Sequence, residues 1–557
     1  MKSTSQEPAT TVHVSFPTRV AATPLPTSER PVSHLGLIGW LIIALAVASL
    51  SLSIAALFTG GIGWDSRFDT DATNIARSME VSSLQEAYDV IPVTTEFYGL
   101  LVYQLADLGH RVWTGSPDLF SPDDPNAYVW QGLVTITCSL LAALALAWSL
   151  TVISRRRVIG ATTAALLLAT PLWLGSSSIN YKDVPVAAGL SIFSAALAVA
   201  LVTHPTRMTW VSMIFWSSIG ASMAFATRAG SVVLLVALSI ASLGIASIAW
   251  RQTIARVRIP AITAGTGIVL SVLVLLASNP VARLGPWQWM LDSWAYSTGG
   301  FPWVTGMLTM GTTVLSNEIT WWYIPIWLLA QLPILTALAA LSGLAIVLIH
   351  LIRTRFSLST SPWIWLTPFL VQGLVFPLAV VVRGTEIYDG IRHVLFIVPP
   401  FIVFAVIPLI HPLKIDHLKD TFLPKALPWA GVFLVAVSFF ASLRWFPYSY
   451  AYVNPIAGFT KEPRQWELDY WGVSSREGIR TLENLQIPAR AAIPYNDPAR
   501  PFSPGIGMMP ESNPSGEKFG YYWFARWTFP TDLPFECERL FDIRRDGHVL
   551  GHGGVCQ

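Results

Sequence analysis

About eleven apolar runs, each near the length that spans a bilayer, recur along this chain, and most of its charge falls between them. They lie roughly at 35–58, 129–153, 158–175, 184–203, 209–227, 230–250, 259–278, 321–352, 363–382, 393–411 and 424–443. A backbone that crosses hydrocarbon must satisfy its own hydrogen bonds, so runs of this length and composition imply helices. The expected fold class is an all-α polytopic membrane protein. Composition agrees: of 557 residues 53% are hydrophobic and only 12% charged, whereas soluble domains carry about 25% charged residues. The formal net charge of +2 and the lack of a Lys/Arg tract suggest no nucleic-acid partner. Tryptophan is abundant, with 24 residues clustering at the ends of the runs, where it anchors helices at the membrane interface.

Residues 1–34 are rich in Thr, Ser and Pro and read as a disordered cytoplasmic tail. The run Leu35–Leu57 lacks a small-residue cleavage site after it and reads as a retained first span in the plasma (inner) membrane. Arg155-Arg156-Arg157, Arg207, Arg251 with Arg256 and Arg258, Arg353 with Arg355, and Lys414 with Lys419 fall in alternate loops. The positive-inside rule places those loops and the N-terminus in the cytoplasm. The segment 59–128, the Ser176–Asp183 turn, the link at Arg228, the segment 279–320, the Glu386–Arg392 knot and the tail 444–557 are then extracytoplasmic. The bundle domain is 35–443. The tail is a small α+β module whose Cys537 and Cys556 are expected to form a disulfide, closing a loop for roughly 3 kcal/mol. Cys138 lies within a span and reads as an inert core residue.

Charged knots at span ends are candidate functional positions, since ionisable groups are expensive there. The first external loop opens Gly63-Trp64-Asp65-Ser66-Arg67-Phe68-Asp69-Thr70-Asp71. On a helix Asp65 and Asp69 share a face, and a carboxylate there can act as general base toward a hydroxyl. An acidic loop facing water, or a cation site, is the alternative. Asn180-Tyr181-Lys182-Asp183-Val184-Pro185 puts Pro185 in a first helical turn with Asp183 near its positive end. Lys182 can meet a phosphate, pair with Asp183, or reach lipid headgroups. Arg228 has almost no loop around it and no acidic neighbour in sequence, so its partner is lipid phosphate or a phosphorylated substrate. In Tyr388-Asp389-Gly390-Ile391-Arg392-His393 the basic pair follows an aspartate. Glu96-Phe97-Tyr98-Gly99 is expected to begin a surface helix. Trp287, Trp289, Trp294, Trp303, Trp321 and Trp322 crowd one external region as anchors or as sugar-stacking faces.

The Asn180–Pro185 and Tyr388–His393 segments, together with Glu467-Leu468-Asp469-Tyr470-Trp471-Gly472 and Ser475-Arg476-Glu477 of the tail, resemble motifs of bacterial phospholipid-carrier-dependent glycosyltransferases. That group is similar to protein O-mannosyltransferases and aminoarabinose transferases of the GT-C fold. The resemblance runs from about residue 60 to 480 and says nothing about which sugar is moved. It implies transfer of a sugar from a polyprenyl-phosphate donor to an extracytoplasmic hydroxyl of a cell-envelope glycan, glycolipid or protein. The family's catalytic acid lies in the first external loop, commonly as Asp-Glu with a His three residues after the Glu. Here Asp65 is kept, but Ser66 and Asp69 stand at the other two positions.

On that resemblance Asp65 is the base, with Asp69 or Asp71 as the other candidates. Lys182, Arg228, Arg392 and His393 bind the donor phosphate, and Asp183, Tyr388 and Asp389 support them. A single displacement would invert the anomeric centre. No cofactor is expected, with a divalent ion held by Asp65, Asp69 and Asp71 as the alternative. The Glu467–Gly472 segment is expected to dock the tail on the bundle. Two other readings remain: a transporter or flippase of a lipid-linked sugar, and an inactive envelope-assembly scaffold, which the Ser66 and Asp69 departures allow.

Overall fold

The computed structural model describes residues 35–91, 95–115, 118–202, 206–249, 254–299, 304–354, 363–410, 423–461, 464–493, 497–510, 516–526 and 536–557. The expected tail 1–34, and Arg251, Trp303, Arg355, Lys414 and Lys419, lie outside the described residues. Among those described, ten helices are long and apolar enough to cross a membrane, or eleven candidates if one bent pair counts as a span.

Helix α1 (Gly36–Thr59) leads into the first external loop, built from α2 (Trp64–Ser78), α3 (Leu84–Val90) and α4 (Leu101–Thr114). The expected helix at Glu96 is not there. Thr95–Phe97 form a single 3-10 turn, Tyr98 bridges to Arg228, and α4 begins only at Leu101. Helix α5 (Pro125–Ser154) starts on Asp124, whose side chain accepts from the Asn126 N–H. Proline at the first position removes a donor that would be unpaired anyway.

The run 158–175 is two helices, α6 (Arg157–Ala169) and α7 (Pro171–Ile179), bent by 63°. Pro171 cannot donate back into α6, so the chain turns and restarts there. Helix α7 runs on to Ile179, which shortens the expected Ser176–Asp183 turn to Asn180–Lys182. Then follow α8 (Asp183–Ala200), α9 (Arg207–Phe225), α10 (Ser231–Ala249), α11 (Ile254–Ser278), α12 (Pro280–Leu284) and α13 (Pro286–Gly299). A hairpin of β1 (Gly306–Thr309) and β2 (Thr312–Leu315) turns through Met310 and Gly311, both at positive φ, the backbone that two-residue hairpins require. The run 321–352 is also split, into α14 (Tyr323–Gln331) and α15 (Ile334–Arg353), at Leu332-Pro333. Helices α16 (Ile364–Arg383), α17 (Arg392–Ile410) and α18 (Leu423–Trp445) complete the bundle.

Helix α8 is the centre: every one of its residues is buried. It lies against α9 with backbones touching. A Cβ on Gly220 would stand 2.6 Å from the Gly189 carbonyl oxygen, and one on Gly189 2.6 Å from the Ala224 nitrogen. Small residues at such a crossing let two spans pack closely. This crossing brings Asp183, at the start of α8, beside Arg228, just past the end of α9. Helices α1, α10 and α15 bury only 22–28% of their apolar windows, leaving apolar faces outward, as lipid contact requires.

After α18 the tail carries α19 (Ser475–Asn484) and a four-stranded sheet. Its strands are β3 (Ala489–Ile493), β4 (Phe519–Phe524), β5 (Cys537–Arg545) and β6 (His548–Cys556), in the order β3-β4-β6-β5. Strand β4 is buried at all six positions, as a central strand covered on both faces should be. Cys537 and Cys556 face each other across β5 and β6 and are joined by a disulfide. The segment ahead of α19 docks on the bundle through its backbone. The N–H groups of Gly61 and Trp64 donate to the carbonyls of Val473 and Trp471, and the Glu467 N–H donates to the Leu308 carbonyl.

Candidate active site at one rim of the bundle

The segments expected outside the membrane meet at one end of the bundle. Helix α2 puts Asp65 in its first turn, where the positive end of the helix favours a carboxylate. Asp69 lies one turn on, and both face the same cation: Lys182 Nζ is 3.4 Å from Asp65 Oδ2 and 2.8 Å from Asp69 Oδ2. Lys182 therefore does not pair with Asp183. Asn180 and Arg228 take that aspartate instead: the Asn180 side-chain oxygen caps α8 by accepting from the Asp183 N–H, its amide donates to Asp183 Oδ2 at 3.0 Å, and Arg228 Nη2 is 2.8 Å from Asp183 Oδ1. The acid that Arg228 lacks in sequence is supplied by the α8–α9 crossing.

Tyr98 lies between the two cations, its ring centroid 5.0 Å from Lys182 Nζ and 5.3 Å from the Arg228 guanidinium carbon. It is held by the Gly99 N–H donating to the Thr227 carbonyl at 2.9 Å. A Cβ at Gly99 would sit 2.8 Å from the Thr227 nitrogen and closer still to Ala226, so only glycine lets the two segments approach.

The third segment brings Arg392. Its Nη1 is 3.5 Å from Asp65 Oδ2 and its Nε 3.0 Å from Asp389 Oδ2, while its guanidinium carbon stands 4.6 Å from the ring centroids of both Tyr388 and Trp471. Such stacking suits a planar guanidinium and fixes its direction. His393 turns its ring edge to Tyr388, with centroids 4.4 Å apart.

One participant was not foreseen. Arg526, just past β4 in the tail, is 3% exposed. It reaches Asp389 Oδ1 at 2.9 Å, donates to the Tyr470 carbonyl at 3.0 Å and lies 4.8 Å over Trp64. Its sequence signal is an arginine two residues past an apolar, aromatic strand, where a buried cation demands a partner.

The two aspartates of α2 differ in setting. Burial would raise the Asp65 carboxyl, but the charges of Lys182, Arg392 and Arg526 outweigh it and hold the group below its ordinary value. Burial, with the charge of Asp65, pushes Asp69 above its ordinary value against Lys182. Asp69 has the shorter lysine contact, yet Asp65 faces three cations. Environments that separate two carboxyls in this way distinguish base from acid. Tyr103 donates to Asp69 at 3.2 Å, and a small cavity of about 10 Å³ lies beside Asp69, Lys182, Tyr98, Tyr103 and Glu96.

Asp71 is exposed and does not join Asp65 and Asp69. Among the described residues no three His, Cys, Asp or Glu side chains gather as a metal site; Lys182 bridges the pair instead. Of the external tryptophans, Trp289 is buried and donates to the Glu96 carbonyl, Trp294 lies under Arg383, and Trp287 and Trp321 are exposed.

No family model matches the chain, and no curated protein matches it. Among solved structures it is similar to ArnT from Cupriavidus metallidurans bound to undecaprenyl phosphate, with a TM-score of 0.47 and 12% identity over 93% of this chain and 98% of that one. It is similar to the same protein in the apo state with a TM-score of 0.46, 13% identity and the same coverage. Likenesses of this size carry no argument about the site, whose chemistry is argued from its own side chains.

Proposed function

We propose that the protein is a membrane glycosyltransferase that moves a sugar from a polyprenyl-phosphate donor to an extracytoplasmic hydroxyl. The observation that carries this reading is the position of Asp65. It is a carboxylate held below its ordinary value by cations, and its contacts to Lys182 and Arg392 are long, at 3.4 and 3.5 Å, while both cations keep shorter contacts elsewhere. A loosely held base thus stands beside cations that can turn toward an anion.

In the reaction the acceptor oxygen attacks the anomeric carbon of the donor. The bond from that carbon to the phosphate oxygen breaks, and the electron pair leaves with the polyprenyl phosphate. Asp65 takes the acceptor's proton. Lys182, Arg228 and Arg392 offset the charge that grows on the phosphate, and cations fixed before the reaction are worth most where water is excluded. A single displacement inverts the anomeric centre. Asp69, held by Tyr103 and Lys182, orients the lysine. His393 and Tyr388 set the direction of Arg392. The cluster faces outward from the cytoplasm, in line with the alternate placement of the basic loops.

The reading is tested by mass spectrometry of glycans, glycolipids and lipid-linked sugars from cells carrying the wild-type chain, no chain, or Asp65→Ala. The expected result is that deletion and Asp65→Ala both lose one glycosylated product and accumulate its lipid-linked donor. Normal product in Asp65→Ala cells would contradict the enzyme. Donor moved across the membrane and left unconsumed would identify a transporter instead.

A further inference from the structure

We infer that Arg526 of the C-terminal module is a positioning residue that keeps the end of Arg392 free for the donor phosphate; this rests on the proposed transfer reaction. Asp389 has two carboxylate oxygens and two arginines. Arg526 Nη2 holds Oδ1 at 2.9 Å, and Arg392 Nε holds Oδ2 at 3.0 Å. Asp389 is fully buried, and both it and Gly390 have positive φ. An aspartate accepts that backbone, which turns the carboxylate back toward the start of α17.

Arginine and carboxylate prefer a two-pronged contact. Asp389 could draw Arg392 into one, but the charge of Arg526 beside Oδ1 lessens that pull, and Arg392 meets Oδ2 through Nε at 3.0 Å and keeps Nη1 3.5 Å from Asp65. Without Arg526 the buried carboxylate would be left with one partner, and it would draw the whole guanidinium of Arg392 onto itself. Arg526 is fixed for this task. Its Nη1 donates to the Tyr470 carbonyl, its face lies over Trp64, and Trp64 is tied through its backbone N–H to the carbonyl of Trp471, on which Arg392 stacks. The contacts form a ring through four distant segments. Arg526 thus carries a charge of the C-terminal module to Asp389 of the buried cluster.

The test compares wild type, Arg526→Gln, Arg526→Lys and the double variant Arg526→Gln/Asp389→Asn. All are purified in detergent and matched for thermal unfolding. Two readouts are taken: the affinity for undecaprenyl phosphate, and the kcat and KM of sugar transfer. Arg526→Gln is expected to weaken phosphate binding and lower kcat by about 10- to 100-fold, the penalty typical of a misplaced catalytic group. Arg526→Lys keeps a charge on Oδ1 and should lose less. The double variant should recover toward wild type, because a neutral amide in place of the Asp389 carboxylate no longer captures Arg392. A merely structural Arg526 would give no such recovery.

Wild-type binding and kcat in a folded Arg526→Gln protein, or a double variant no better than the single one, would overturn the inference. If the glutamine variant fails to fold, Arg526→Lys with and without Asp389→Asn decides in the same way. A wild type that binds undecaprenyl phosphate but transfers no sugar would sink the transferase reading alone, and the affinities would still judge Arg526. A wild type that does neither overturns both.

Discussion

Two sets of ion pairs lie on the same side of this protein and differ in what surrounds them. At the bundle rim Asp69, Lys182, Asp389, Arg392 and Arg526 are buried, Asp65 is partly so, and all share partners. Farther out, Arg490 pairs with Glu517 with side chains 49% and 63% exposed, and Arg67 meets Asp123, which Arg500 also approaches, near the surface. Water can replace a partner in the outer set. In the inner set every lost charge strands another, so buried pairs are weak as stabilisers and costly to break. A group that folding alone would not select for implies a use, and the use proposed for it is chemistry.

The contrast is easiest to break at Asp65. Asp65→Asn should cut sugar transfer by about 100- to 10,000-fold, the usual worth of a positioned general base, in protein that remains folded at the assay temperature. Activity within twofold of wild type would put the base elsewhere. Next come the cations: Arg392→Met should lower kcat by about 100- to 1,000-fold, read by initial rates at saturating donor.

Lys182→Met sharpens the same comparison through pH. Asp65 is held below its ordinary value chiefly because three cations outweigh its burial. The acid limb of the pH–rate profile follows its ionisation, so removing one cation must move that limb to higher pH. An unmoved limb would mean that Asp65 is not the titrating group. Arg228→Ala comes next. It leaves the buried Asp183 with Asn180 alone, and stability should fall by about 1–3 kcal/mol in thermal or denaturant unfolding. Smallest is Arg490→Ala, worth less than about 1 kcal/mol as an exposed pair and silent in transfer. A large effect there would erase the distinction between the two sets.

Much of the inner set could be read from the chain. The spans follow from run length, and the side of the membrane expected from the basic loops already grouped Asp65, Lys182, Arg228 and the Asp389–Arg392 knot, which the ion pairs bring together. Partners were harder to read. Lys182 was weighed against its neighbour Asp183, but side chains on successive residues at a helix start point apart, and each found its mate across the bundle. Arg526 stands 137 residues from Asp389 by numbering (526 − 389), and no periodicity links them. The break at Thr170-Pro171 was hidden because both halves are apolar, and the β1–β2 hairpin because its residues carry no strong alternation. What stayed illegible depends on contacts between distant segments, which no local pattern encodes.

Asp65 as the base of a transfer reaction is the central claim. It is tested most directly by supplying polyprenyl-phosphate-linked sugar and cell-envelope extract to purified protein in liposomes, wild type beside Asp65→Asn. Wild type should convert the donor to free polyprenyl phosphate with matching glycosylation of the extract, and the variant, equally folded, should not. Equal consumption by both proteins would contradict the account.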